Sequence, residues 1–305
     1  MQICPKNGEP PGSILAVLRW TASHFMSRNI ENPRASAEIL LAHALGLRRI
    51  DLYLRYDQPL MPGELVKFRE LVLRRTRHEP VAYITGRKEF WSVDLLLSPA
   101  VLIPRPETEC LVEAALGCLP ETGEKKERSI LDLGTGSGAI ILALAAERPG
   151  NRFYASDRSP AALEIAKANA AGNGLEGKVC FFCGDWFAPL KADISGFDLI
   201  VSNPPYIRSA EIKGLQPEIS FEPKAALDGG PDGLAAIRQI VLQAPDYLTE
   251  NGFLIMEIGF DQSGDVTEIA QKCGKYDQIR CTKDYGGNDR VMQMRRIQRK
   301  TPCRV

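Results

Sequence analysis

Asn203-Pro204-Pro205-Tyr206 closes a short apolar run, Phe197-Asp198-Leu199-Ile200-Val201-Ser202, and restricts the fold more than any other feature of the chain. The run reads as a buried strand. A strand inside a sheet cannot continue through Pro-Pro, because proline has no N–H for the ladder. The chain must therefore leave the sheet at Asn203 with its backbone locked. In open α/β sheets the carboxyl edge of the strands is where ligands bind. The corner offers the amide oxygen of Asn203, the Pro204 carbonyl, which no helix or strand will claim, and the flat ring of Tyr206. Acceptors beside a stacking face suit a planar NH2 group.

The chain has 305 residues, enough for two domains with sizeable cores. Lys+Arg and Asp+Glu both number 38, so net charge argues for neither nucleic acid nor membrane as a partner. No apolar stretch nears the roughly 18 residues of a membrane span, and MQICPKNGEPPGS lacks the pattern of a secretory signal, so a cytoplasmic location is expected. The histidines are His24, His43 and His78, and everything beyond lacks one. A histidine-based triad or a histidine-ligated zinc site is thereby excluded from the larger part of the chain, and no metal is expected. Of eight cysteines, only Cys180 and Cys183 have a CxxC spacing. On a strand these two face opposite ways, so buried structural thiols are expected there rather than a metal site.

Residues 1–85 read as a helical domain. Apolar residues recur at helical spacing over Ser13–Arg28, Ala35–Leu47 and Leu65–Arg77. Lys67, Arg69, Arg74, Arg75 and Arg77 are expected on a solvated face, with docking of an acidic or RNA-associated partner as the sharper alternative. Alternation around Phe90–Leu95 suggests a β-hairpin connector over 86–105, stiffened at its exit by Pro99 and Pro104. From 106 to 297 strands and helices alternate: strands at 130–133, 152–156, 178–183, 197–202 and 252–258, with helices at 137–147, 160–171, 233–248 and 262–273 between them. Two final strands fall at about 276–282 and 290–295. This is an α/β, doubly wound, mostly parallel pattern. Residues 121–128 read as a charged loop and 298–305 as a frayed tail.

Gly134-Thr135-Gly136-Ser137-Gly138 follows a strand and opens a helix, where glycines admit close approach of a ligand and free N–H groups meet its polar atoms. Asp157, at the end of the next strand, is placed to accept two ribose hydroxyls. These features fit a dinucleotide and S-adenosylmethionine equally. Asp132, a carboxylate inside a strand, is costly there unless it contacts the site. Trp186 is placed to cover an adenine and Asp185 to accept from its amino group. Asn-Pro-Pro-Tyr, for which a dehydrogenase has no use, favours the sulfonium cofactor.

The strings VLIPRPETE (101–109), ILDLGTGSGAII (130–141), GDWF (184–187), FDLIVSNPPYI (197–207), LDGGPDGL (227–234), MEIG (256–259) and KDYGGNDR (283–290) resemble the PrmC/HemK family, the release-factor-specific protein-(glutamine-N5) methyltransferases. The resemblance covers about residues 86–295. It implies a Rossmann-like seven-stranded methyltransferase domain behind a small N-terminal helical bundle. It implies S-adenosyl-L-methionine at Gly134, Thr135, Gly136, Ser137, Gly138, Asp157, Trp186 and Asn203. It also implies that Asn203, Pro204, Pro205 and Tyr206 hold the glutamine of the GGQ motif of class 1 peptide-chain release factors, with Asn203, Pro204 and Tyr206 carrying catalysis. A nucleic-acid adenine-N6 methyltransferase and a non-catalytic cofactor-binding protein are the alternatives. The absence of a basic, aromatic-interleaved segment argues against the first and the intact Asn-Pro-Pro-Tyr against the second.

Overall fold

The computed structural model describes residues 12–119, 127–190 and 196–298. Most of the charged loop at 121–128 and most of the tail after 298 lie outside the described residues. The chain divides into two compact units. One runs up to Arg87 and takes in Pro217–Phe221; the other holds the rest.

The first unit is helical: α1 (Ile14–Met26), α2 (Pro33–Leu45), α3 (Arg49–Leu54), α4 (Pro62–Thr76) and α5 (Val81–Thr85). The Ser13 hydroxyl accepts the Ala16 N–H and starts α1, while Pro33 opens α2 and Gly46, in the left-handed region, ends it. Ile14, Val17, Phe25, Leu40, Leu41, Leu52, Phe68 and Val72 form its core. The short helices α3 and α5 escape periodicity, since six and five residues are under two turns. The basic face expected on α4 is only partly solvated. Arg75 is buried and pairs with Glu218 at 2.9 Å, and Arg74 pairs with Glu79. A buried guanidinium needs such a partner, and this one comes from the short segment 217–221, far away in sequence.

In the second unit, β1 (Arg87–Phe90) and β2 (Val93–Leu96) form a two-stranded sheet. The turn residues Trp91 and Ser92 both have positive φ, as a tight hairpin requires. α6 (Glu109–Gly117) corresponds to no element read from the sequence. Its burial of Cys110, Leu111, Val112 and Ala115 leaves too narrow a polar stripe for a clear amphipathic signal. Then come β3 (Ser129–Leu133), α7 (Ala139–Glu147), β4 (Arg152–Asp157), α8 (Pro160–Gly172), β5 (Val179–Cys183), β6 (Phe197–Ser202), α9 (Ala235–Gln243), β7 (Leu248–Glu257), α10 (Ser263–Cys273), β8 (Tyr276–Lys283) and β9 (Asp289–Arg296). The helix expected over 233–248 stops at Gln243 because Pro245 follows.

Seven strands pair in the order β5-β4-β3-β6-β7-β9-β8, giving the mixed α/β, mostly parallel sheet that the alternating pattern predicts. β3 pairs in parallel with both β4 and β6, so the winding reverses beside it. That reversal opens a crevice at the carboxyl ends of β3 and β6. β9 is antiparallel to β7 and β8. β5 lies at one edge of the sheet, and there both Cys180 and Cys183 are exposed, contrary to the buried thiols expected. An edge strand leaves faces uncovered that a central one would bury. Among the described residues no helix is long and apolar enough to cross a membrane, and no cluster of three metal-ligating side chains occurs.

Candidate functional site

A cavity of about 1000 Å³ opens at the crevice, lined entirely by the second unit. Gly134, Thr135, Gly136, Ser137, Asp157, Trp186, Asn203 and Pro205 line it, so the structure brings most of the sequence-derived candidates together.

The glycine loop is pinned from behind. The Ser156 carbonyl accepts the N–H groups of Gly134 and Thr135 at 2.9 and 3.0 Å. Asp157 accepts Gly136 N–H at 2.9 Å on Oδ2 and Ser159 N–H at 2.8 Å on Oδ1. Each carboxylate oxygen keeps acceptor capacity toward the cavity. The Trp186 ring lies over Gly134, where a Cβ would come within 3.3 Å of it. Trp186 has positive φ, unusual for a bulky residue, and the buried Ser156 hydroxyl holds its carbonyl at 3.2 Å. Asp185 also lines the cavity.

Some candidates stand elsewhere. Gly138 is outside the lining and caps α7 with φ +83°; a Cβ there would meet Leu142 at 3.1 Å and Ala166 at 3.3 Å, so its smallness serves packing of α7 on α8. Asp132 is wholly buried behind the loop and does not reach the cavity. Its Oδ2 accepts the Thr135 hydroxyl at 2.6 Å, and Oδ1 has no partner among the described residues. Burial pushes its carboxyl up to about 7, assisted by the charge of Asp157, while the Thr135 bond opposes the rise. It braces Thr135 instead of meeting a ligand.

The Asn-Pro-Pro-Tyr corner follows β6. Asn203 donates Nδ2–H to the Thr108 hydroxyl at 3.3 Å, and both residues line the cavity. Pro204 is buried behind the lining. Tyr206 is also outside it: its hydroxyl donates to Glu257 Oε1 at 2.9 Å, and burial raises its phenol far above the ordinary range. The ring therefore braces the corner from the core side. Gln262 grips the backbone from below, donating to the carbonyls of Tyr206 at 3.0 Å and Gly233 at 3.2 Å and accepting Gly259 N–H at 2.9 Å. The loop 227–234 runs alongside, with Gly229 N–H donated to Ile207 and Ile207 N–H donated to Leu227.

Sequence reasoning gave no individual role to Thr108, Gln239 or Lys224, which line the cavity, or to Asn169 behind it. Thr108 sits inside VLIPRPETE, so a motif reading reaches it; Lys224 lies outside the motif strings, and Gln239 and Asn169 lie on helices without any local signal. Asn169 on α8 exchanges hydrogen bonds with both backbone groups of Leu96 on β2 and donates to the Ser137 carbonyl at 2.9 Å, tying hairpin to glycine loop. Arg105 pairs with the buried Glu222, joining LIPRPETE to the segment that precedes loop 227–234.

This sheet order, with its carboxyl-edge cavity, places the chain among the Rossmann-like methyltransferases. A methyltransferase from Pyrococcus furiosus superposes with a TM-score of 0.52 at 17% identity, covering 74% of this chain and 99% of that one. The hMettl16 catalytic domain superposes with 0.53 at 18% identity, covering 78% and 83%. Family models match the PrmC N-terminal domain at residues 16–86 and the methyltransferase small domain at 112–286. The release factor glutamine methyltransferase of Geobacter sulfurreducens is 43% identical over 281 residues, 92% of this chain and 95% of that protein. That of Agrobacterium fabrum is 42% identical over 292 residues, 95% of this chain and all of its own length. The chain belongs to the release factor glutamine methyltransferase family.

Proposed function

We propose that the chain transfers a methyl group from S-adenosyl-L-methionine to the side-chain amide nitrogen of the glutamine in the GGQ motif of class 1 peptide-chain release factors, in the cytoplasm. The observation that carries this reading is Asn203. Its Nδ2 is engaged by Thr108, so Oδ1 is left as the acceptor at the cavity wall, at the end of β6.

The residues present fit the donor. The volume suits a ligand of that size. Gly134 leaves room that a side chain would take under the Trp186 ring, Asp157 has lone pairs for ribose hydroxyls, and Asp185 has an acceptor for an amino group. When bound, S-adenosylmethionine supplies an activated methyl carbon.

A carboxamide nitrogen is a weak nucleophile because its lone pair is shared with the carbonyl, the resonance behind the roughly 18–20 kcal/mol barrier of a peptide bond. The chain's own task is to orient it. Asn203 Oδ1, at the cavity wall, receives one amide N–H and fixes the nitrogen's direction; the Pro204 carbonyl is the second acceptor that the family resemblance implies, though Pro204 itself lies behind the lining. Two prolines make the turn stiff, and Gln262, Gly229 and Gly233 hold its backbone from the other side. Orientation of this kind is worth several kcal/mol of barrier. The same acceptors bind more strongly as the nitrogen becomes positive, which favours the transition state over the ground state. The extra proton then leaves to water or a backbone oxygen, so no histidine is needed.

The test is Asn203→Ala with purified release factor and methyl-labelled donor, followed by mass spectrometry of the GGQ peptide. The expected result is loss of transfer by at least about 100-fold, on the scale of a lost oxyanion-hole donor, with donor affinity still measurable by calorimetry. Near-normal labelling, or labelling of DNA in preference to the release factor, overturns the reading.

A further inference from the structure

Two reverse turns stand at the carboxyl edge of the sheet beyond the Asn-Pro-Pro-Tyr corner, one at the exit of β7 and one between β8 and β9. Each carries an exposed aromatic ring at its second position: Phe260 is 67% exposed and Tyr285 78%. Gln262 N–H closes the first turn on the Gly259 carbonyl at 3.0 Å, and Gly287 N–H closes the second on the Asp284 carbonyl at 2.9 Å. Both turns are braced from behind. Gln262, 2% exposed, accepts Gly259 N–H at 2.9 Å and donates to the Tyr206 carbonyl at 3.0 Å, which fastens the Phe260 turn to the corner itself. Asp284, 7% exposed, accepts Asn288 N–H at 3.0 Å and pairs with Arg290 at 3.1 Å. Arg290 also donates to the Ile258 carbonyl at 3.1 Å, tying one turn to the other.

A single exposed apolar side chain is ordinary on a protein surface. Two rings held out by braced turns, at the edge where the cavity opens, are better explained by a partner. A fixed backbone and a side chain with two rotatable bonds lose little entropy when covered, so such rings make strong contacts. The charges around them say what kind of partner fits. Arg208 serves two carboxylates, Glu211 at 3.1 Å and Asp261 at 2.8 Å. Glu113 on α6 accepts the Tyr285 hydroxyl, and among the described residues no cation pairs with it. Asp284 and Asp289 have one cation each, Arg290 and Lys283. Carboxylates thus outnumber cations around the rings. That surplus complements Lys and Arg side chains, which also pack well on aromatic faces.

We propose that Phe260 and Tyr285 dock a cationic face of the protein substrate, outside the cavity that takes its glutamine. The inference rests on the function proposed above: a glutamine enters the cavity only while the protein that carries it lies over the carboxyl edge. Neither ring lines the cavity. Their contribution is therefore to hold the substrate protein, and the methyl transfer itself proceeds without them.

The experiment measures kcat, KM for release factor, donor affinity and melting temperature for wild type, Phe260→Ala, Tyr285→Ala, their double variant, Glu113→Gln and Leu242→Ala. Leu242 is the control, an apolar side chain 47% exposed near the end of α9, which runs back toward the opposite edge of the sheet. Loss of either ring is expected to raise KM at least about fivefold, and loss of both at least about 20-fold. kcat and donor affinity stay within about twofold and the melting temperature within about 2 °C, since exposed side chains contribute little to stability. Glu113→Gln keeps an acceptor for the phenol but removes a charge. It raises KM about twofold at low salt and weakens the rise of KM with ionic strength that wild type shows. Leu242→Ala behaves as wild type. A double variant with KM within twofold of wild type, losses in kcat in place of KM, or a wild-type KM indifferent to salt overturns the inference while leaving the activity standing. So does a wild-type dimer that the double variant dissolves, because a second copy then covers the rings. A wild type that does not methylate release factor overturns the function and this inference with it.

Discussion

Gly233→Ala tests how tightly the corner is clamped. Gly233 has φ +76°, and a Cβ built there falls 2.5 Å from the Tyr206 carbonyl oxygen and 2.6 Å from Gln262 Nε2. Contacts under 3.0 Å do not persist, so the methyl group must displace both the Tyr206 carbonyl and the Gln262 amide by about half an ångström. The left-handed backbone costs an alanine about 1–2 kcal/mol. Overpacking against backbone adds about 1–3 kcal/mol. The total is roughly 2–5 kcal/mol, which lowers the melting temperature of a unit this size by roughly 5–15 °C. Displacement also moves the peptide after Tyr206 at the end of the corner, and misplacement on this scale slows a positioned reaction by about 10-fold or more. Gly264→Ala is the control: it lies within α10, has ordinary φ, and a Cβ there meets nothing within 4 Å. Its expected effect is slight stabilisation with unchanged turnover. The assays are thermal melts by circular dichroism and single-turnover methylation of release factor. A Gly233→Ala protein that melts within about 1 °C of wild type and turns over normally refutes the clamp.

Three further outcomes follow from other contacts. Glu38 is buried in the helical unit; burial alone would raise its carboxyl, but hydrogen bonds from Tyr53, Arg49 and Arg34 hold it down to about 2 from 4.5. A depressed carboxylate stabilises above its unfolded pKa, so Glu38→Gln should cost up to about 3 kcal/mol at pH 7, with the gap to wild type closing as pH falls from about 4.5 toward 2; a gap independent of pH in chemical denaturation contradicts this. Asn169→Ala removes the links from α8 to Leu96 and Ser137 and should cost about 2–4 kcal/mol with raised hydrogen exchange in β2, since buried backbone groups lose partners; unchanged exchange there argues against the tie. Trp186→Ala should weaken S-adenosylmethionine by roughly 10-fold or more in calorimetry, the scale of one lost aromatic contact, and undiminished affinity removes the ring from the donor site.

The parallel core of the fold was legible because its signals are local. Apolar runs of strand length, the glycines behind β3 and the prolines behind β6 each restrict the backbone within a few residues. The roles inside the site were less legible, because they depend on which direction a side chain takes from a known position. Tyr206 reads as a stacking surface beside Asn203, yet its hydroxyl is committed to Glu257, fifty-one residues away in sequence. Asp132 reads as a ligand contact and proves to be a brace for Thr135. Gly138 reads as part of the ligand loop and serves helix packing. Arg75 reads as surface charge, because nothing local shows that Glu218 will meet it. For Tyr206 and Arg75 the deciding partner is remote in the chain; for Asp132 it is only three residues away, but the direction its side chain takes is not written in the periodicity.

A parallel sheet explains why these groups converge. Every parallel strand delivers its carboxyl end to the same edge, so consecutive crossovers place Gly134 after β3, Asp157 on β4, Trp186 after β5 and Asn203 after β6 around one crevice, with Glu257 at the end of β7 buried outside its lining. An antiparallel neighbour contributes there only through its beginning. β9 does so: Val291 pairs with Glu257, and Arg290 just before it accepts Ile258 N–H on its carbonyl at 2.9 Å, donates Nη1–H to the Ile258 carbonyl at 3.1 Å and reaches Asp284 at 3.1 Å. Burial raises the Glu257 carboxyl, and the positive charge that partly opposes this rise comes from the one strand whose reversed direction puts its start at the ligand edge. Reversal of winding beside β3 then sorts the edge into two halves. The β3, β4 and β5 side presents a glycine loop, a carboxylate and an indole, while the β6 and β7 side presents acceptors held by Thr108, Tyr206 and Gln262. In the function proposed, one half binds the donor and the other orients the acceptor, and a transfer between two bound partners needs both at one edge.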